Sequence, residues 1–119
     1  MKLIETLGMK QARAWNVATL NEFRQFFKLE PHKSFSDITR DGEVASALKT
    51  LYGHPDYVEM YPGLVAEDAK DPIDPGSGLC PGYTISRAIL ADAVALTRGD
   101  RFYTVDYSPS TLTNWGYNQ

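Results

Sequence analysis

Residues 84–107, TISRAILADAVALTRGDRFYTVDY, restrict what this chain can fold into more than any other stretch. Residues 85–98 contain neither Gly nor Pro. Thr84 is an N-cap residue type directly before them, and Gly99 stands where a glycine ends a helix. At about 100° per residue, Ile85, Ile89, Ala93 and Leu96 share one face. Leu90 and Val94 fall on another, and Ala88, Ala91 and Ala95 form a small-residue stripe. Arg87 and Arg98 supply the only clearly charged strip. A helix so apolar around its circumference is expected inside a large protein, not on the surface of a small one. Asp92 lies between Ile85 and Leu96 on the apolar face, where a buried carboxylate needs a partner.

The remainder bounds the class. A chain of 119 residues suits one domain with a core. Twelve basic and 15 acidic residues give a formal net charge of −3, which argues for neither nucleic acid nor an anionic membrane as partner. Cys80 is the only cysteine, so an intrachain disulfide and a cysteine metal cluster are excluded. A reducing, cytoplasmic setting is compatible with that. No run is long and apolar enough to span a bilayer, and MKLIETLGMKQ has no signal-peptide core.

In chain order, residues 2–15 read as a helix with Leu3, Leu7, Ala12 and Trp15 on one side, weakened at Gly8. Thr19-Leu20-Asn21-Glu22 fits a capping box, predicting a helix over 20–29 that buries Leu20, Phe23 and Phe27, with Phe26 beside them. Pro31 and the Ser34–Asp37 pair open a short turn or helix. Asp41 caps a clear helix over 42–52, with Val44, Leu48 and Leu51 apolar and Gly53 as its stop. Pro55 starts another short helix over 56–61, closed by Pro62-Gly63. Residues 64–83 read as a long irregular strap, and 99–107 as extended through Phe102, Tyr103, Val105 and Tyr107. Ser108-Pro109 begins a last helical turn, and 114–119 is tail. No hairpin signal appears, so the class is mainly α.

Several strings carry a resemblance. GDRFY at 99–103, followed by a Pro-led turn, resembles an element near the end of animal-type haem peroxidase domains. RGDRFYTVDYSPSTLTNWGY and ARAWNVATLNEFRQFFKLEPHKSF are similar to the fungal fatty-acid dioxygenases, the linoleate diol synthases or psi-factor-producing oxygenases. LYGHPDYVEMYPGLVAE, at 51–67, is the most specific; cyclooxygenases carry a similar LYG-x-x-D-x-VE-x-YPGL. The resemblance covers about residues 8–117. It implies that residues 1–119 are a single partial domain, the C-terminal helical segment of a cyclooxygenase-like haem peroxidase domain. The implied parent reaction is haem-dependent dioxygenation of an unsaturated fatty acid by dioxygen to a hydroperoxide, as in oxylipin synthesis. The rest of the dioxygenase domain is then the partner, and the setting cytoplasmic and lipid-associated. The alternative is a catalytically inactive truncated remnant or a helical interaction module, which leaves enzymatic activity of the chain alone open.

No residue here qualifies as catalytic or as a metal ligand. His32 and His54 are the only histidines, and neither has a second ligand at metal spacing. In the resembled family the haem-ligating His lies in a Tyr-x-x-His motif; no Tyr stands three residues before a His in this chain, so the haem ligand is expected elsewhere in the parent enzyme. No nucleophile elbow or phosphate loop is present, and Cys80 has no neighbouring cation in sequence to activate it. What the resemblance carries over is substrate contact. A channel hydroxyl falls on Thr84 or Ser86, with Ile85 and Ile89 as apolar liners. Capping and packing account for the same residues. Arg101 is the residue that would hold the substrate carboxylate, its rigid bidentate fork being suited to one. Its competing role is a structural ion pair with Asp92, Asp100 or Asp106.

Overall fold

The computed structural model of the protein describes residues 2–69, 82–103 and 106–119. The elements among them are helical: α1 (Lys2–Ala14), α2 (Leu20–Phe26), α3 (Phe35–Ile38), α4 (Gly42–Tyr52), α5 (Met60–Ala66), α6 (Tyr83–Gly99) and α7 (Pro109–Tyr117). Tight 3₁₀ turns occupy Pro55–Tyr57 and Arg101–Tyr103. Thr19 and Glu59 form an isolated antiparallel bridge, and the described residues contain no strand. The mainly α expectation holds. Two compact units divide the chain, Met1–Arg87 and Ala88–Gln119.

In the first unit, local chemistry sets most helix ends. The Thr19 hydroxyl accepts from the Glu22 amide at 3.3 Å, and Glu22 accepts from the Thr19 amide at 2.8 Å. This reciprocal cap is the predicted capping box. The Asp37 carboxylate takes the Lys33 and Ser34 amides at the start of α3. Asp41 takes the Glu43 and Val44 amides at the start of α4, and Gly53 ends that helix at φ 71°, a conformation that favours glycine. The core gathers Leu20, Ile38, Leu48 and Val58, with Phe35, Val44, Tyr52, Leu64 and Ala66 packed around them. Each fully buried aliphatic side chain contributes about 1.5–3 kcal/mol.

Several boundaries differ from the sequence reading. Pro62 and Gly63 do not close a helix; they lie inside α5. Pro62 is tolerated there because first-turn amides need no intrahelical partner. Gly63 is required by packing: a Cβ there would stand 2.8 Å from Leu20 Cδ2 and 3.1 Å from Val58 Cγ1. Residues 64–66, expected in an irregular strap, are therefore helical. Residues 70–81, with Cys80 and most of that strap, lie outside the described set. Phe23 and Phe27 are half-buried and meet edge to face, whereas Phe26 and Leu51 are exposed despite their apolar character. Leu3 and Leu7 on α1, and Trp15 just after it, are exposed as well.

In the second unit, Arg101–Tyr103 forms a turn rather than extended chain, and Val105 lies outside the described residues. The expected tail is helical as far as Tyr117, although Thr113 breaks α7 with φ 72° and ψ 152°. Asp92 is exposed here, as are Ile89, Leu90, Val94 and Leu96 on the same helix.

Candidate functional site

The most concentrated chemistry among the described residues surrounds Glu67, which ends α5 and is buried. Its Oε1 accepts from Arg24 Nη1 at 2.5 Å, Thr84 Oγ1 at 2.6 Å and His32 Nε2 at 2.9 Å. Its Oε2 accepts from the Thr84 amide at 2.7 Å. Thr84 Oγ1 in turn accepts from Arg24 Nη1 at 2.8 Å. Four donors saturate an ionised carboxylate. Burial alone would push Glu67 upward. The hydrogen bonds from His32 and Thr84 and the charge of Arg24 outweigh it, holding the carboxyl below the usual glutamate range. With Glu67 ionised, His32 Nε2 must be the donor.

The supports of this hub reach back along the chain. Arg24 projects from α2, one turn after the fully buried Leu20, and its Nε also holds the Glu30 carbonyl at 2.8 Å. His32 is fixed by Asn21, which accepts from the His32 amide at 2.8 Å and donates to the His32 carbonyl at 3.0 Å. Asn21 also donates to Asp56 at 2.6 Å. A second carboxylate, Glu59, takes a two-point contact from Arg13 at 2.6 and 3.0 Å and the Tyr52 hydroxyl at 2.9 Å. The Arg13 bonds hold Glu59 below its usual range; burial and Glu59 push the Tyr52 hydroxyl up to about 12. NEFR, EPH, Asp56 of LYGHPD and Glu67 of VEMYPGLVAE thus converge on one hydrogen-bonded network, while Glu59, Arg13 and Tyr52 form a separate, more exposed cluster. No buried side-chain polar atom among the described residues is left without a partner.

The residues expected to contact substrate are placed as follows. Thr84 is fully buried, and its hydroxyl is committed to Arg24 and Glu67. It does not cap α6 from outside; the helix starts at Tyr83, and the Glu67 carboxylate receives the Thr84 amide instead. Ile85 and Ser86 are half-buried. Ile89 is exposed on α6, and Arg101 is exposed in its turn, with its guanidinium 5.7 Å above the Phe102 ring. Glu67, Arg24 and His32 were missed as a group. One signal was available: Arg24 stands four residues after Leu20, on the face assigned to the core. Its partners lie 43 and 60 positions away, beyond any local pattern.

A cleft of about 460 Å³ opens beside the hub, but Glu30, Asp37, Arg40 and Asp68 line it. Walls of mixed charge do not suit a fatty-acid chain. Nor do the histidines fit haem ligation. The His32 Nε2 is occupied by Glu67, and His54 is an exposed ring whose Nδ1 accepts from the Asp56 amide. Among the described residues no cluster of His, Cys, Asp or Glu could hold a metal ion.

The arrangement is that of a helical segment of a peroxidase fold. Peroxidase A from Dictyostelium discoideum matches it with a TM-score of 0.62 at 29% identity, over 80% of this chain and 17% of that one. Residues 4–119 match the animal haem peroxidase family, and the chain belongs to that family. Among its relatives, psi-producing oxygenase A of Emericella nidulans is 66% identical over 118 residues, which is 99% of this chain and 11% of the relative. Linoleate diol synthase of Gaeumannomyces graminis is 62% identical over 119 residues, 100% of this chain and 10% of the relative. Linoleate 10R-lipoxygenase of Aspergillus fumigatus is 60% identical over 119 residues, 100% of this chain and 11% of the relative. The chain spans about a tenth of the length of these curated relatives.

Proposed function

We propose that this chain works as a segment of a haem-dependent fatty-acid dioxygenase, adding dioxygen to an unsaturated fatty acid to give a hydroperoxide. The observation that carries this reading is the 60–66% identity to the fungal oxygenases along essentially the whole chain. Residues 1–119 form part of one domain in this reading, with the remainder of the dioxygenase domain as partner and haem held by residues outside the chain. Its own contribution is a scaffold that presents α6. A cytoplasmic setting beside lipid fits such a substrate, and among the described residues no helix is long and apolar enough to cross a membrane.

For substrate contact we assign Arg101 to the carboxylate and Ile85 and Ile89 to the hydrocarbon. Of the two candidate hydroxyls, Ser86 is the better placed to touch substrate because it is partly exposed, whereas Thr84 is sealed beneath Arg24 and Glu67. Thr84 then serves the site from behind. A chimera tests the whole reading: this chain replaces the matching segment of the Gaeumannomyces graminis linoleate diol synthase. Haem retention and oxygenation of linoleate are then measured. Oxygenation at a rate within about tenfold of the parent is expected. A chimera that folds and retains haem but oxygenates nothing overturns it.

A further inference from the structure

Glu67 is a buried ionised group that the dioxygenase reading does not use for chemistry, and its geometry relates it to one place. Two of its four hydrogen bonds come from Thr84, one from the amide and one from the hydroxyl. The preceding residue but one, Gly82, runs against it: a Cβ there would stand 2.7 Å from the Glu67 carbonyl oxygen and 3.2 Å from Oε2. The Tyr83 amide, between them, donates to the Asp68 carbonyl at 3.0 Å. The backbone amides of residues 83 and 84 are thereby bonded to residues 68 and 67, with Gly82 packed closely against Glu67 just before them. The Ser86 amide makes its helical bond to the Gly82 carbonyl at 3.1 Å, so the clamp passes directly into the next turn.

We propose that Glu67 is a positioning residue for substrate: through Thr84 it fixes where α6 begins, and therefore where Ile85 and Ser86 stand against the fatty-acid chain. This rests on the dioxygenase reading above. A helix is stiff along its axis, rising about 1.5 Å per residue, so a displacement of its first turn is carried into residues 85 and 86 undamped. Dioxygenation of a flexible chain selects a carbon by where that chain is held, and a misplacement on the order of 1 Å can cost about 100-fold in rate. The Arg24 guanidinium and the His32 ring keep the carboxylate charged and directed, while Thr84 transmits its position.

The test uses the haem-loaded chimera and reads two quantities that a purely stabilising role leaves alone: the KM for linoleate at equal haem content, and the ratio of carbons that receive oxygen. Thr84→Val removes the hydroxyl and keeps the shape; Thr84→Ser restores the hydroxyl. Thr84→Val is expected to raise KM by about tenfold and to alter the carbon ratio, with Thr84→Ser close to the unsubstituted enzyme. If Thr84→Val does not retain haem, Glu67→Asp serves instead: it preserves the charge beside Arg24 but withdraws the carboxylate by one methylene, and the same two changes are expected. A haem-loaded variant with unchanged KM and unchanged carbon ratio overturns the inference and leaves the dioxygenase reading standing. An unsubstituted chimera that retains haem and oxygenates nothing overturns both.

Discussion

Arg24 is the residue on which the buried network depends most. Its guanidinium serves Glu67, Thr84 and the Glu30 carbonyl together, and both members of the Arg24–Glu67 pair are almost wholly out of water. Breaking a buried pair by removing one member costs about 3–5 kcal/mol, because the other charge is left stranded. The same network carries a pH signature. Glu67 and Glu59 have folded pKa values below those of the unfolded chain, so unfolding takes up protons as pH falls. Their stabilisation is complete above the ordinary glutamate pKa of about 4.3 and disappears as pH drops through the folded values. Helical circular dichroism of the chain followed against pH should fall in that acid window, with a shallower pH dependence in Glu67→Gln. A flat profile down to the lowest pH would contradict the charge state assigned to the hub. Arg101 is tested differently, in the chimera. Loss of a charge-assisted carboxylate contact should cost about 1.5–3 kcal/mol of binding. That is roughly 10- to 150-fold in apparent affinity for the acid. Arg101→Gln should therefore spare the methyl ester, and equal losses on acid and ester would assign Arg101 to structure.

The helices separate what sequence makes legible from what it does not. Where the determinant is local, the reading reached the right residues: Asp41 and Gly53 bound α4, and the Thr19–Glu22 exchange starts α2. Where the determinant lies in another element, it failed. Pro62-Gly63 has the composition of a stop, yet α5 runs through it because Gly63 is the point at which α5 meets Leu20 of α2 and Val58. Gly63→Ala is expected to destabilise by about 1–3 kcal/mol through overpacking, although alanine is the better helix former. A shift in urea midpoint would measure it, and a stabilised variant would show the contact to be yielding. The candidate site divides in the same way. Thr84 was visible as a hydroxyl beside a helix start, but its partners Arg24 and Glu67 became neighbours only through the fold.

At the scale of the molecule, the exposed apolar side chains are the dominant unspent feature. Leu3, Ile4 and Leu7 are exposed on α1 and Trp15 just beyond it; Leu90, Val94 and Leu96 are exposed on α6. Such surfaces bind partners or associate. The chain alone is expected to show a helical spectrum, to bind a hydrophobic dye and to self-associate with rising concentration; a dye-silent monomer with a sharp melt would remove the need for covering partners. The hub also fixes an order in time. Its members stand at positions 24, 32, 67 and 84, and the Arg24–Thr84 bond spans 60 residues. During synthesis at about 5–20 residues per second, Arg24 and His32 leave the ribosome seconds before Thr84 does. Closing so long a segment is entropically opposed until its contacts form. A nascent chain whose emerged portion ends just short of residue 84 should therefore be protease-sensitive around α2, and one with residue 87 clear of the ribosome protected. Thr84 acts in this sense as a completion signal, the last residue whose arrival lets the earlier charges settle.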